Sequence, residues 1–182
     1  MDSTTEDRGG LAQDLSILRD SLHVILLRDL RAVERQIAAY PDDASLWKTA
    51  PGISNSGGTL VLHIAGNLRH FIATVLAGGK YVRDRDAEFS ARGMTRADLA
   101  AEIRAAISEL DDAIPRIDSA QLAKVYPTPV RERRIRTADF LVHLAVHLGY
   151  HLGQLDYHRR LLTENPQAVD TLSPGELLET PG

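Results

Sequence analysis

Residues 140–160 read FLVHLAVHLGYHLGQLDYHRR and hold four of the chain's seven histidines, His143, His147, His151 and His158. Leu144, Leu148, Leu152 and Leu155 recur at steps of three and four, the spacing of an amphipathic helix. At about 100° per residue the histidines fall at about 0°, 40°, 80° and 60° on the helical wheel, with Gln154 at about 20°. The imidazoles and Gln154 form one stripe, and the leucines form the neighbouring face that packs a core. Thr137 is the expected N-cap of this helix, and Asn165-Pro166 is the expected stop.

Three more helices are legible upstream. From about Leu11 to Tyr40 the apolar positions Leu15, Leu18, Leu22, Leu26, Leu30, Val33 and Ile37 keep the helical step, up to the break at Tyr40-Pro41. TLVLHIAGNLRHFIATVLAG, residues 59–78, is apolar on most sides and predicts a buried helix that starts near Ser56 or Gly58 and ends at Ala77. Thr95, with Asp98 three residues on, predicts the start of another helix, continued by Leu99, Ile103, Ala106 and Leu110 and weakened at Pro115.

The connections between these helices are long. PDDASLWKTAPGISNSG (41–57) reads as a structured loop around the only tryptophan, Trp47, and KYVRDRDAEFSARGM (80–94) as charged and irregular. KVYPTPVRERRIR (124–136) has enough β-branched residues for a short hairpin. The expected organisation is a flexible N-terminus over 1–10, one bundle over 11–165 and a C-terminal tail over 166–182, in which SPGELLET suits a short helical turn. The fold class is all-α, a four-helix bundle with long loops.

Composition narrows the chemistry. At 182 residues, 43% hydrophobic and 25% charged, the sequence suits one globular core. The net charge of −4 disfavours nucleic acid as a partner, and RERRIR (131–136) reads as a solvated loop edge, or else as a basic patch that steers an anionic substrate. With no cysteine, any metal must be held by His, Asp, Glu or backbone, and a thiol nucleophile must come from a cosubstrate. No apolar run reaches the length of a membrane span, and the acidic MDSTTEDRGG is unlike a secretory signal, so the expected location is the cytoplasm.

Two histidines at i and i+4 stand about 6 Å apart along a helix and chelate one ion, provided another element supplies a third ligand. His63 meets that need, because a lone imidazole in the most apolar helix carries a desolvation cost. Asn67, one turn on, is placed to hydrogen-bond a ligand or substrate. Zincin spacing fails, since Leu144 and Leu148 follow His143 and His147, and no Glu precedes a His by three residues as in di-iron bundles.

LVLHIAGNLRHFI (60–72) and HLAVHLGYHLGQLDYHRRLL (143–162) resemble the second and fourth helices of the DinB/YfiT-like superfamily. The specific part is H-x-x-x-H-x-G-Q, formed here by His147, His151, Gly153 and Gln154. The resemblance implies up-down-down-up topology, a homodimer, and one divalent ion, zinc or nickel ahead of iron, held by His63, His147 and His151. It also implies a metal-dependent enzyme that activates water or a low-molecular-weight thiol, in the manner of mycothiol- or bacillithiol-dependent relatives. The competing expectation is a stress-related bundle in which the metal is structural. In the antiparallel register that seats His63 between His147 and His151, His70 falls beside His143 as a second polar layer. The substrate entrance is expected under the loops around Trp47 and Tyr126, and His158 is expected at the surface.

Overall fold

The computed structural model describes residues 3–169 and 174–177, with side chains from residue 10 onward. Among the described residues there are six α-helices: α1 (Ser3–Ala38), α2 (Gly57–Leu68), α3 (Arg85–Ser90), α4 (Arg96–Ala113), α5 (Ser119–Ala123) and α6 (Thr137–Thr163). Among the described residues there is no strand. α1 reaches further toward the N-terminus than the expected start near Leu11. The tail contributes a single 3-10 turn, Pro174–Leu177, tied to α1 by Arg35–Glu176 at 3.1 Å; the rest of SPGELLET lies outside the described residues.

Side-chain links between helices give their directions. Arg104–Glu34 (2.8 Å) and His23–Asp111 (2.9 Å) run α1 antiparallel to α4. Gln36 donates to Asp156 at 3.0 Å, and Tyr40 meets His158 at 2.7 Å, so α1 and α6 end together. Gly57 at the start of α2 touches His158, and Arg96 at the start of α4 donates to the Tyr40 carbonyl, so α2 and α4 both begin at that same end. The order is therefore up-down-down-up. α1 and α2 each pack on α4 and α6 and stand diagonally across the bundle.

The periodic residues fill the core. Leu26, Leu30, Val33 and Ile37 of α1, Leu99, Ile103 and Leu110 of α4, and Leu148 and Leu155 of α6 are all buried. α4 starts with the expected capping box, in which Thr95 and Asp98 satisfy each other's backbone N–H. At its end Pro115, which lacks an N–H, sits in a 3-10 turn, Ile114–Arg116.

Four local expectations need correction. The helix begun by α2 does not stay α-helical to Ala77: Arg69–Thr74 is a π-helical segment, with Val75 N–H donating to the His70 carbonyl. The wider turn rotates every later side chain relative to the α-helical wheel. Thr137 is the first residue of α6 rather than its cap; its N–H donates to the Lys124 carbonyl at 2.8 Å while Arg136 stays extended. The stretch 80–94 is not wholly irregular, because Asp84 caps α3 by accepting from Ala87 N–H. His158 is not at the surface but 3% exposed. Its Nε2 lies 2.9 Å from the Lys48 carbonyl and 3.2 Å from the Gly57 N–H, and its Nδ1 is hydrogen-bonded to the Tyr40 hydroxyl at 2.7 Å.

The expected hairpin at 124–136 is present as two isolated antiparallel bridges, Val125–Arg136 and Val130–Arg133. Its two-residue turn places Arg131 and Glu132 at φ 47° and 65°. Both are left-handed, a conformation that favours Asn-Gly and costs other residues about 1 kcal/mol or more each.

Candidate metal centre

α2 carries His63 on its buried face, and α6 brings His147 and His151 to the same level one turn apart. One nitrogen from each of the three rings lies within 4.8 Å of the other two. Ring centroids stand 5.3 Å apart for His63–His147, 5.1 Å for His63–His151 and 4.4 Å for His147–His151. The i,i+4 pair therefore converges on a histidine from an antiparallel neighbour.

Hydrogen bonds fix which nitrogens face inward. His151 Nδ1 donates to Gln154 Oε1 at 2.7 Å, which leaves its Nε2 unprotonated and 3.0 Å from His147 Nε2. His63 Nδ1 donates to Glu88 Oε2 at 3.0 Å, which likewise frees its Nε2. A carboxylate or amide oxygen behind a histidine is the arrangement that orients imidazole ligands and raises their basicity. Two nitrogens on a tetrahedral zinc stand about 3.4 Å apart, so an ion would open the 3.0 Å His147–His151 contact slightly and draw in His63, whose nitrogen lies within 4.8 Å of both. The donor set fits a divalent ion.

Electrostatics favour the neutral form of His147 and His151. Burial, followed by the neighbouring His151, His63, His143 and Arg83, lowers the His147 pKa to about 4. Burial also lowers His151, partly offset by its bond to Gln154. Glu88 is pushed up by burial, but hydrogen bonds from Arg83 and His63 outweigh that and hold it below the usual carboxylate range. Arg83 grips it in a fork, Nε to Oε1 at 2.6 Å and Nη2 to Oε2 at 2.8 Å. Gly66 is what admits this carboxylate to α2, since a Cβ there would overlap Glu88 Oε1.

The three histidines stand on the wall of a cavity of about 540 Å³. Asn67 lines it too, 8% exposed, and its Oδ1 has no hydrogen-bond partner. His143 lies on the rim, 5.9 Å from the His147 ring and stacked on Phe140. It does not meet His70. The rings run His70–Phe71–Phe140–His143 at 4.8, 5.2 and 5.9 Å, because the π turn brings Phe71 to the face where His70 was expected.

Trp47 and Tyr126 do not line the cavity. The Trp47 indole N–H donates to the Met94 carbonyl at 2.9 Å, and the Tyr126 hydroxyl donates to the Phe71 carbonyl at 2.7 Å, so both are turned into packing. The entrance is bordered instead by Asn55, Arg85, Phe89, Pro129 and Arg131. Glu88 and Arg83 are the residues that sequence reasoning missed. The one usable signal was Asp84, a cap residue four positions before Glu88 in a run taken for a loop.

The family described as a protein of unknown function, DUF1572, matches residues 17–176. The chain belongs to this family. The DUF1572 chain is also similar to the crystal structure of a DinB-like protein from Bacillus cereus ATCC 10987, with 17% identity and a TM-score of 0.60 over 78% of this chain and 90% of that one. At that identity the likeness shows the fold, a DinB-like all-α bundle. No curated protein matches the DUF1572 chain.

Proposed function

We propose that His63, His147 and His151 hold one divalent ion, and that the chain is a metal-dependent enzyme acting on a small molecule with water or a low-molecular-weight thiol as nucleophile. The observation that carries this reading is the orientation of two of the three rings: Glu88 and Gln154 accept hydrogen bonds from Nδ1–H of His63 and His151, which leaves their Nε2 atoms free for an ion. A bound divalent ion would lower the pKa of water or a thiol toward neutrality. Glu88 holds the proton of His63 Nδ1 and fixes its ring plane, and Arg83 keeps Glu88 ionised. The cavity beside the rings leaves room for a substrate, which supports catalysis over a purely structural ion.

A thiol would come from a cosubstrate, as the chain has no cysteine. Imidazole suits zinc, nickel, copper and iron alike, and zinc or nickel is the ion we expect, ahead of iron. The exposed Val146, Tyr150, Tyr157 and Leu161 along α6 support the homodimer implied by the family resemblance. No described helix is long and apolar enough to cross a membrane.

Elemental analysis of untagged protein, wild type against His147→Ala, tests the metal: one equivalent in the first and loss in the second is expected. Assays for loss of free thiol from a panel of thiols with an electrophilic acceptor, with and without divalent metal, test the reaction. Full metal occupancy with no turnover of any thiol pair, and no metal-dependent hydrolysis of the electrophilic acceptors by water alone, would overturn the enzymatic reading and favour a structural ion.

A further inference from the structure

The wall of the metal-site cavity carries three arginines, Arg83, Arg85 and Arg131, and no carboxylate of its own. Arg83 is neutralised from behind by Glu88. Arg85 lies over the Phe89 ring at 4.9 Å, and neither Arg85 nor Arg131 has an ion-pair partner among the described residues. Elsewhere in this acidic chain many arginines pair with carboxylates, among them Arg69 with Glu102 and Glu109, Arg96 with Asp43, Arg104 with Glu34 and Arg116 with Asp112, whereas Arg31, Arg92, Arg133 and Arg134 do not among the described residues and line no part of the cavity. Two unpaired guanidinium groups thus border one concave, half-apolar space, where low-dielectric walls concentrate their field.

Further in, the buried Asn67 Oδ1 has no hydrogen-bond partner in the protein among the described residues. A buried acceptor of this kind is completed by a ligand that donates to it. Arg131 occupies a left-handed turn position that its side chain makes unfavourable, and the turn aims the start of RERRIR at the cavity.

We propose that this cavity binds a small molecule with an oxyanion group, carboxylate or phosphate, held at the rim by Arg85 and Arg131, and an N–H or O–H donor that pairs with Asn67. This gives the proposed enzyme its substrate class and rests on that reading for the reactive end only; the rim recognises the oxyanion without the metal. Guanidinium forks match both oxyanions bidentately, so the two are separated by experiment.

The test is calorimetric titration of metal-loaded protein with phenylacetate, phenyl phosphate and the neutral phenylacetamide. At least one anion is expected to bind about tenfold more tightly than the amide, and Arg85→Ala/Arg131→Ala to remove that preference, about the effect of one charge-assisted contact. The corresponding double lysine variant is expected to restore part of it. Comparison of phenylacetate with phenyl phosphate assigns the oxyanion. Asn67→Leu is expected to weaken 4-hydroxyphenylacetate relative to phenylacetate. Equal affinity for anion and amide, no anion binding, or an anion preference untouched by the double alanine variant would each overturn the proposal. Repeating the titrations on chelator-stripped protein separates the two readings. A preference that survives stripping and vanishes in the double variant supports the rim even if His63, His147 and His151 hold no metal. One that vanishes with the metal and ignores the arginines belongs to the ion and overturns the rim.

Discussion

Glu88→Gln keeps shape and removes charge, and the geometry says why that small change should be costly. Oε1 accepts from Arg83 Nε at 2.6 Å, while Oε2 accepts from both Arg83 Nη2 at 2.8 Å and His63 Nδ1 at 3.0 Å. An amide has one acceptor and one donor end. With its oxygen toward His63, its NH2 faces Arg83 Nε, donor against donor. Turned round, its NH2 faces His63 Nδ1 and drives the ring to the tautomer whose Nε2 carries the proton, which cannot ligate a metal. Either way a guanidinium whose side chain is only 10% exposed loses its counter-ion. Removing one partner of a buried pair costs about 3–5 kcal/mol at full burial, so about 2–4 kcal/mol is expected here. Loss of a carboxylate behind a metal-binding histidine lowers metal affinity about 10–100-fold.

Two assays separate these effects. Urea unfolding of the metal-free protein reads the ion pair, and competition between protein and a chromophoric chelator reads the metal site. Wild-type metal affinity in a variant that has lost stability would refute the orienting role of Glu88 and leave it a structural partner of Arg83. Unchanged stability as well would mean that the Arg83–Glu88–His63 chain does not persist in solution.

Gly66→Ala should act on the same chain from the other side: its Cβ would displace Glu88 Oε1, so metal affinity and stability should fall together, the latter by about 1–3 kcal/mol, as read by the same two assays. Tyr40→Phe should cost about 1–3 kcal/mol in urea unfolding, because it strips the buried His158 Nδ1 of its hydrogen-bond partner. Metal-free protein should lose stability as pH falls from 6.5 toward about 4, since His147 takes up its proton in the unfolded chain across that window but not in the folded one. The unfolded state then binds more protons, and stability rises with pH, by up to about 3 kcal/mol less what solvent screens. His147→Gln should flatten that part of the stability–pH curve measured by chemical unfolding.

The bundle and the triad were legible because their information is local. Leucines at helical spacing, Thr95 with Asp98, and an i,i+4 histidine pair all speak within one turn or two. His63 stood out because an imidazole in an apolar helix is an unsettled polar group wherever that helix packs. Glu88 was hidden for the opposite reason: a glutamate in a charged run is ordinarily solvated. Only the approach of α3 to Gly66 makes it a buried carboxylate.

His158 and His70 show how far the helical wheel carries. The wheel placed His158 correctly on the stripe, yet its burial comes from Tyr40 and the Lys48 carbonyl, which arrive from the loop after α1. Position along the stripe, not angle around it, decides which histidines meet water. For His70 the angle itself was wrong, because no residue type in RHFIAT announces a π turn. That turn has a consequence for the site: by bringing Phe71 rather than His70 against Phe140, it walls the cavity with carbon beside the triad. The phenyl rings keep His70 away from the triad, and leave the arginines, Asn67 and the rim residue His143 among the polar groups that can discriminate between ligands.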